Sequence, residues 1–227
     1  MIVVWNKFPE EETSPTDLIV YCAAGIRKPV EEAAIAFQKE FGVKITLDYD
    51  SSGALEGKLQ LDRDSNKSRA DLYIPADLSF SKRAREKGLT AESIQLASFS
   101  LVLATSPKAN LSFSSLDEFI ALKVPFVLCN EAAGVGKTTK ATLENLGKWK
   151  MFDAAKKTAS PRVTDAAAAV VASDIVQAGF LWNTTAKQFG LKIHDLPELA
   201  NVTSRITANV SSSSQKTRQA LFFARYL

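Results

Sequence analysis

The feature that most constrains this chain is a repeated order of apolar strand, tight turn and amphipathic helix. Leu18 to Cys22 (LIVYC) is a compact apolar run, AAGIRK follows as a turn, and Pro29 suits the first position of a helix. Val30, Ala33, Ala34, Phe37 and Phe41 recur at helical spacing and make its buried stripe. Glu31 and Glu32 fall in the expected first turn, Lys39 lies near the end, and Gly42 supplies the stop. Val43, Ile45, Leu47 and Tyr49 then alternate as one face of a strand. Together they form a βαβ unit, whose crossover is expected to be right-handed.

The alternation continues. DSSG precedes a short helical pattern with Leu55 and Leu59, and the polar run LDRDSNKSR reads as a loop. Strand ADLYIP leads to a helix around Ser79 to Lys87, stopped by Gly88, and Phe99 to Thr105 is a long apolar strand. Ser115 and Glu118 have capping-box spacing ahead of Leu116, Phe119 and Ile120. Strand Val124 to Cys129 runs into EAAGVGKTT, and a helix with Leu143 and Leu146 follows, ending at Gly147. TDAAAAVV reads as a helix with Thr164 as N-cap. AGFLW, LKIHDL and the alternating VTSRITANV read as strands before a last helix capped by Ser214. The fold class is α/β. By pattern alone, one continuous sheet and two βαβ-rich halves fit equally.

Composition narrows the function classes. The chain has 227 residues, 46% hydrophobic and 23% charged, with a net charge of +3 from scattered Lys and Arg. That is a globular composition with no basic stripe or aromatic-basic run, so nucleic acid is not an expected partner. One histidine and two cysteines cannot assemble the usual nitrogen and sulfur metal sites. Cys22 and Cys129, both in apolar strand-like runs, read as buried thiols, and His194 as a strand-edge residue. No run of about 18 apolar residues exists to span a membrane. The opening MIVVWNKFPEEETSPTD reads as a flexible arm over 1–17, and a longer leader or anchor is expected to have preceded it.

Five segments, in order, resemble the periplasmic molybdate-binding proteins of the type II ABC-transporter solute-binding superfamily. They are VYCAAGIRKPVEEAAIAFQKEFGVKI, YDSSGAL, ADLYIPAD, NEAAGVGKTTKATLENLGKW and AGFLWNTTA. The resemblance covers residues 18–227 and implies a two-lobed fold with two hinge crossovers. Each lobe would be a mixed, mostly parallel sheet flanked by helices. The expected division is lobe I at 18–103 plus 208–227 and lobe II at 104–207. The implied function is that of a receptor, not an enzyme, which holds molybdate or tungstate between the lobes and delivers it to a membrane permease. A monomer without cofactor, periplasmic or otherwise extracytoplasmic, follows from the same likeness. Family members usually continue with a further short segment past the position of Leu227.

A tetrahedral dianion entering a closed cleft must exchange water for other donors. Helix N-termini supply them, because first-turn amides are unpaired and the helix dipole favours negative charge. Four strand-to-helix turns present this chemistry: Ala24-Gly25-Ile26, Asp50-Ser51-Ser52-Gly53, Ala132-Ala133-Gly134-Val135 and Val163-Thr164-Asp165. By the resemblance, Ser52 matches a ligating serine, while Ala133 and Val163 match positions that bind through backbone NH. Gly25 stands where a serine is usual, and Trp182 where a tyrosine is, so two donor positions are altered. Arg27 is close enough in sequence to compensate for the hydroxyl missing at Gly25. Ala24, Ser51, Gly134 and Thr164 complete the expected ligand set.

Gly134-Val135-Gly136-Lys137-Thr138-Thr139 looks like part of a phosphate-binding P-loop. The pattern requires a glycine where Glu131 stands, and a carboxylate in that cradle is electrostatically wrong. An enzyme on the same fold would need a poised base or nucleophile, and Asp50 and Asp77 read instead as turn and helix-start residues. Other small solutes, such as sulfate or a metal chelate, remain the alternative ligands for this fold.

Overall fold

The computed structural model describes residues 17–67, 69–172 and 175–227; the arm expected at 1–17 lies outside the described residues except for Asp17. In chain order the strands are β1 (Leu18–Ala23), β2 (Ile45–Asp50), β3 (Leu72–Ile74), β4 (Thr90–Thr105), β5 (Phe126–Cys129), β6 (Thr158–Ser160), β7 (Ala178–Trp182), β8 (Lys192–His194) and β9 (Thr203–Ser211). The helices are α1 (Arg27–Phe41), α2 (Ser52–Asp64), α3 (Leu78–Glu86), α4 (Leu116–Ala121), α5 (Gly134–Asn145), α6 (Trp149–Ala155), α7 (Val163–Ala172), α8 (Asn183–Gln188) and α9 (Thr217–Tyr226).

Pairing follows the path β2-β1-β3-β9-β4-β7-β5-β6, with β8 added on β4. The outer pairs are parallel, as βαβ units require, and those involving β4 or β9 are antiparallel. The sheet is therefore mixed, with antiparallel pairing more extensive than the sequence suggested. The 16 residues of β4 join two halves. From Thr90 to Ser100 it pairs with β9, and from Leu101 to Thr105 with β7, partly shared with β8. The change of partner thus falls between Ser100 and Leu101, and the return begins at Thr203.

Aromatic side chains fix the helices on each half. Phe37 of α1 meets Phe223 and Tyr226 of α9 with ring centroids 5.0 and 5.1 Å apart, so the last helix packs on the first. In the other half Phe126 contacts Phe119 at 5.5 Å and Phe152 at 5.7 Å, and Phe152 meets Phe180 at 5.6 Å. All of these phenylalanines are fully buried, and truncating one to alanine costs about 3–5 kcal/mol. Cys22 and Cys129 are buried free thiols, as expected, and burial pushes Cys129 up to about 12 and Cys22 higher still.

Several local expectations are corrected. Helix α1 starts at Arg27, because a 3-10 turn over Ala24–Ile26 leads straight into it. Pro29 is then its third residue, tolerated because first-turn amides need no acceptor, and the two glutamates stand beyond the first turn. Helix α2 continues through Asp64 into the polar run read as loop, its outer face being solvent-exposed. Strand β4 begins at Thr90, its polar first part being held by β9. Ser214 does not cap α9; its hydroxyl donates to Asp71 at 2.7 Å, and the helix starts at Thr217. Thr164 is the second residue of α7, and the carbonyl of Arg162 accepts the first helical bond, from Ala166 at 3.1 Å. Ser115 caps α4 as expected, while Glu118 bonds the amide of Ser114 at 2.7 Å. His194 sits at the end of β8 but is buried, hydrogen-bonded to Thr105 at 2.9 Å and stacked on Phe113.

Glu56 locks α2 to α3. It is only 3% exposed and accepts hydrogen bonds from Arg83 Nε and Lys87 Nζ, each at 2.8 Å. Burial alone would raise its pKa, but the bonds from Arg83 and Lys87 outweigh that and hold it below its ordinary value of 4.5. A carboxylate depressed in the folded state contributes stability that is present above its unfolded value and lost as pH falls through the folded one. Thermal stability is therefore expected to fall below about pH 4.5, and Glu56→Gln should flatten part of that decline in melting curves. An unchanged slope would show that this ion pair adds nothing in acid.

Candidate functional site

Six strand ends meet at the junction of the two halves. The C-terminal ends of β1, β2, β3, β5, β6 and β7 each run into a helix, directly or through a short turn, the arrangement in which open α/β sheets place their ligands. They enclose a cavity lined by Ala23, Ala24, Gly25, Asp50, Ser51, Ser52, Ala76, Ala133, Gly134, Val135, Arg162, Val163 and Trp182. The cavity is small, on the scale that admits about one water molecule.

Eight of the residues singled out in the sequence line this one cavity: Ala24, Gly25, Ser51, Ser52, Ala133, Gly134, Val163 and Trp182. Two do not. Arg27 stacks its guanidinium 4.8 Å from the Tyr49 ring centre and faces Glu31 at 3.6 Å, with its side chain 60% exposed. The start of α1 at Arg27 points it along the outer surface, so it compensates for nothing at Gly25. Thr164 is carried off the cavity wall by its place inside α7.

Donors on the first half are organised by hydrogen bonds that leave protons to spare. Ser51 caps α2, its hydroxyl accepting from Ala54 at 3.3 Å, while its own amide donates to Asp50 at 2.8 Å. Ser52 Oγ accepts from the amide of Ala76 at 3.1 Å, and its carbonyl accepts from the buried Tyr73 hydroxyl at 2.8 Å. Each hydroxyl oxygen is thus fixed as an acceptor, and its proton is free to point into the cavity. On the second half, Ala133 donates its amide to the carbonyl of Asn130 at 3.1 Å. This moves the donors one residue on, to the first-turn amides of α5 at Gly134 and Val135. Val163 opens α7 in the same way.

The halves touch closely around the cavity. The amide of Gly53 donates to the carbonyl of Ala132 at 2.9 Å. Asp77, the cap of α3, also accepts from Thr138 of α5 at 2.9 Å and from Ser204 of β9 at 2.7 Å. Glycine permits the close approach of the halves: a Cβ on Gly134 would stand 2.8 Å from that of Asp77, and one on Gly25 would stand 2.8 Å from Val163 Cγ1. The P-loop-like segment is therefore a helix start whose glycines allow close packing.

Sequence reasoning missed Arg162 and gave Asp50 only a turn role. Arg162 bonds Asp165 at 3.0 Å and lies 3.9 Å from Asp50, which belongs to the opposite half. The pair sets one positive against one negative charge on the cavity lining. The signal available was adjacency: Arg162 directly precedes Val163. Trp182, at the end of β7, is fully buried, and its indole nitrogen has no hydrogen-bond partner.

This architecture is that of periplasmic binding proteins. The structure is similar to an iron-bound HitA from Pseudomonas aeruginosa, with a TM-score of 0.71 at 20% identity, covering 93% of this chain and 80% of that one. It is similar to the periplasmic molybdate-binding protein of Azotobacter vinelandii, with a TM-score of 0.73 at 18% identity over 92% and 91% of the two chains. A substrate-binding domain of a putative molybdenum ABC transporter from Clostridium difficile gives 0.64 at 21%, over 93% and 91%. At these identities the likeness is one of fold. No individually curated protein matches the sequence. Residues 18–227 match the family described as bacterial extracellular solute-binding protein, and the chain belongs to that family.

Proposed function

We propose that this solute-binding protein is the receptor of an ABC importer for a small tetrahedral oxyanion, molybdate or tungstate foremost, held between two lobes that close on it. The observation that carries the reading is the gathering of hydroxyls and first-turn amides from both halves on one cavity. Such donors replace water around a dianion without a buried countercharge, each contributing about 1.5–3 kcal/mol. The Arg162 and Asp50 charges offset one another, leaving the neutral donors to decide. In this reading the lobes are residues 18–103 plus 208–227 and residues 104–207, joined through β4 and β9, close to where β4 changes its partner from β9 to β7. A permease would then recognise the closed form.

A thermal-shift panel tests this. At a hundredfold excess over Kd, molybdate or tungstate should raise Tm by about 5–10 °C, while ATP with magnesium leaves it unchanged. Ser52→Ala should remove most of that shift. It should also cost the ligand-free protein about 1–3 kcal/mol, because the Ala76 amide loses its buried acceptor. A panel in which molybdate, tungstate, sulfate and phosphate all leave Tm unmoved would sink the oxyanion reading.

A further inference from the structure

Two buried donors on the second half have no hydrogen-bond partner among the described residues, and both lie against Gly25. They are the indole nitrogen of Trp182 and the hydroxyl of Thr185, and both residues are fully buried. Measured from the position a Cβ would take on Gly25, Trp182 Cδ1, the carbon bonded to that nitrogen, is 3.6 Å away and Thr185 Oγ1 is 3.7 Å away. Helical threonines elsewhere in the chain satisfy themselves: Thr139 and Thr142 in α5 each donate to the carbonyl four residues back, at 2.7 and 2.8 Å. Thr185 has no such recourse, because α8 begins at Asn183 and the residue four back, Leu181, belongs to strand β7. Its hydroxyl is left over by the chain's geometry, in a place where leaving it unmade is unfavourable.

We infer that Thr185 is a further ligand-binding and specificity-determining residue, its hydroxyl acting with the indole NH of Trp182 as a donor pair for the anion oxygen nearest Gly25. This rests on the oxyanion reading above. Gly25 and Trp182 line the cavity while Thr185 lies off its wall, and a Cβ at position 25 would take up the space beside both donors. The indole NH can only donate and the hydroxyl can donate or accept, so the pair is best matched by a ligand oxygen that carries no proton, as in a fully ionised tetrahedral anion.

The test is calorimetric titration of the full chain with sodium tungstate, using Thr185→Val, which keeps shape and removes the hydroxyl, and Thr185→Ser, which keeps the hydroxyl. Thr185→Val should bind about tenfold more weakly and Thr185→Ser within about twofold of the native protein. The ligand-free Thr185→Val protein should melt no lower than native, because an unmatched buried hydroxyl has been removed. Native affinity in Thr185→Val overturns the inference alone. Weaker binding accompanied by a lower ligand-free Tm, unrescued by serine, assigns Thr185 a structural role and also overturns it. Absence of binding of tungstate, molybdate, sulfate and phosphate by the native protein overturns the oxyanion reading and this inference with it.

Discussion

Replacing Gly136 by alanine is expected to destabilise the protein by about 3 kcal/mol or more, lowering Tm by about 6–12 °C. A Cβ there would stand 2.0 Å from the carbonyl oxygen of Asn130 and 2.5 Å from that of Cys129. Neither can yield cheaply. Cys129 is paired with Ser160 across β5 and β6, and the amide of Asn130 donates to the Ser160 carbonyl at 2.9 Å. Relief would require α5 to lift off the end of β5, opening the cavity wall that Gly134 and Val135 form. Gly57→Ala is the matched control: that glycine is also helical, but open space surrounds it, so alanine should be neutral or stabilising by up to about 1 kcal/mol. Denaturant unfolding of the two variants side by side gives the comparison, and coincident midpoints would refute the packing argument.

The largest effect on binding is expected from Gly25→Val. A Cβ at position 25 comes within 2.8 Å of Val163 Cγ1 on the opposite half, so the variant resists the closed arrangement. Overpacking of this kind costs about 1–3 kcal/mol, which corresponds to about a 5- to 150-fold loss of affinity for molybdate or tungstate. The melting point of the ligand-free protein should change little, because an opened junction relieves the clash. Adding Val163→Ala should recover part of the affinity, and the double-mutant cycle measures the coupling between the two positions. Strictly additive losses would show that the two side chains do not meet in the bound form.

The βαβ order was legible because the apolar periods of LIVYC and of Val30, Ala34 and Phe37 are local and unambiguous. Gly42, Gly88 and Gly147 announced three helix ends, and all three have positive φ. Less legible was anything set by long-range pairing. The polar first part of β4 looks like loop until β9 is beside it, and β6 is too short and polar to register alone. Thr164 and Ser214 are good cap residues, but tertiary partners placed the helix starts elsewhere. At the site, turns with exposed amides could be read from small residues after apolar strands. Donors displaced by one residue, as at Ala133, could not, because the turn decides which amide is already committed. Arg162 and Thr185 escaped notice for a related reason: each owes its place to a neighbour in space from another segment.

Strand β4 passes from one half to the other without an intervening loop, and this shapes any motion between them. A pleated ribbon bends and twists smoothly, whereas a loop pivots about one or two free dihedrals. In the proposed receptor the spine would be springy rather than slack, and parting the halves would store elastic energy that helps return them. Amide protons of Ser100 and Leu101 should consequently exchange slowly with solvent whether the mouth is open or shut, even while those at Gly53 and Gly134 respond to its state.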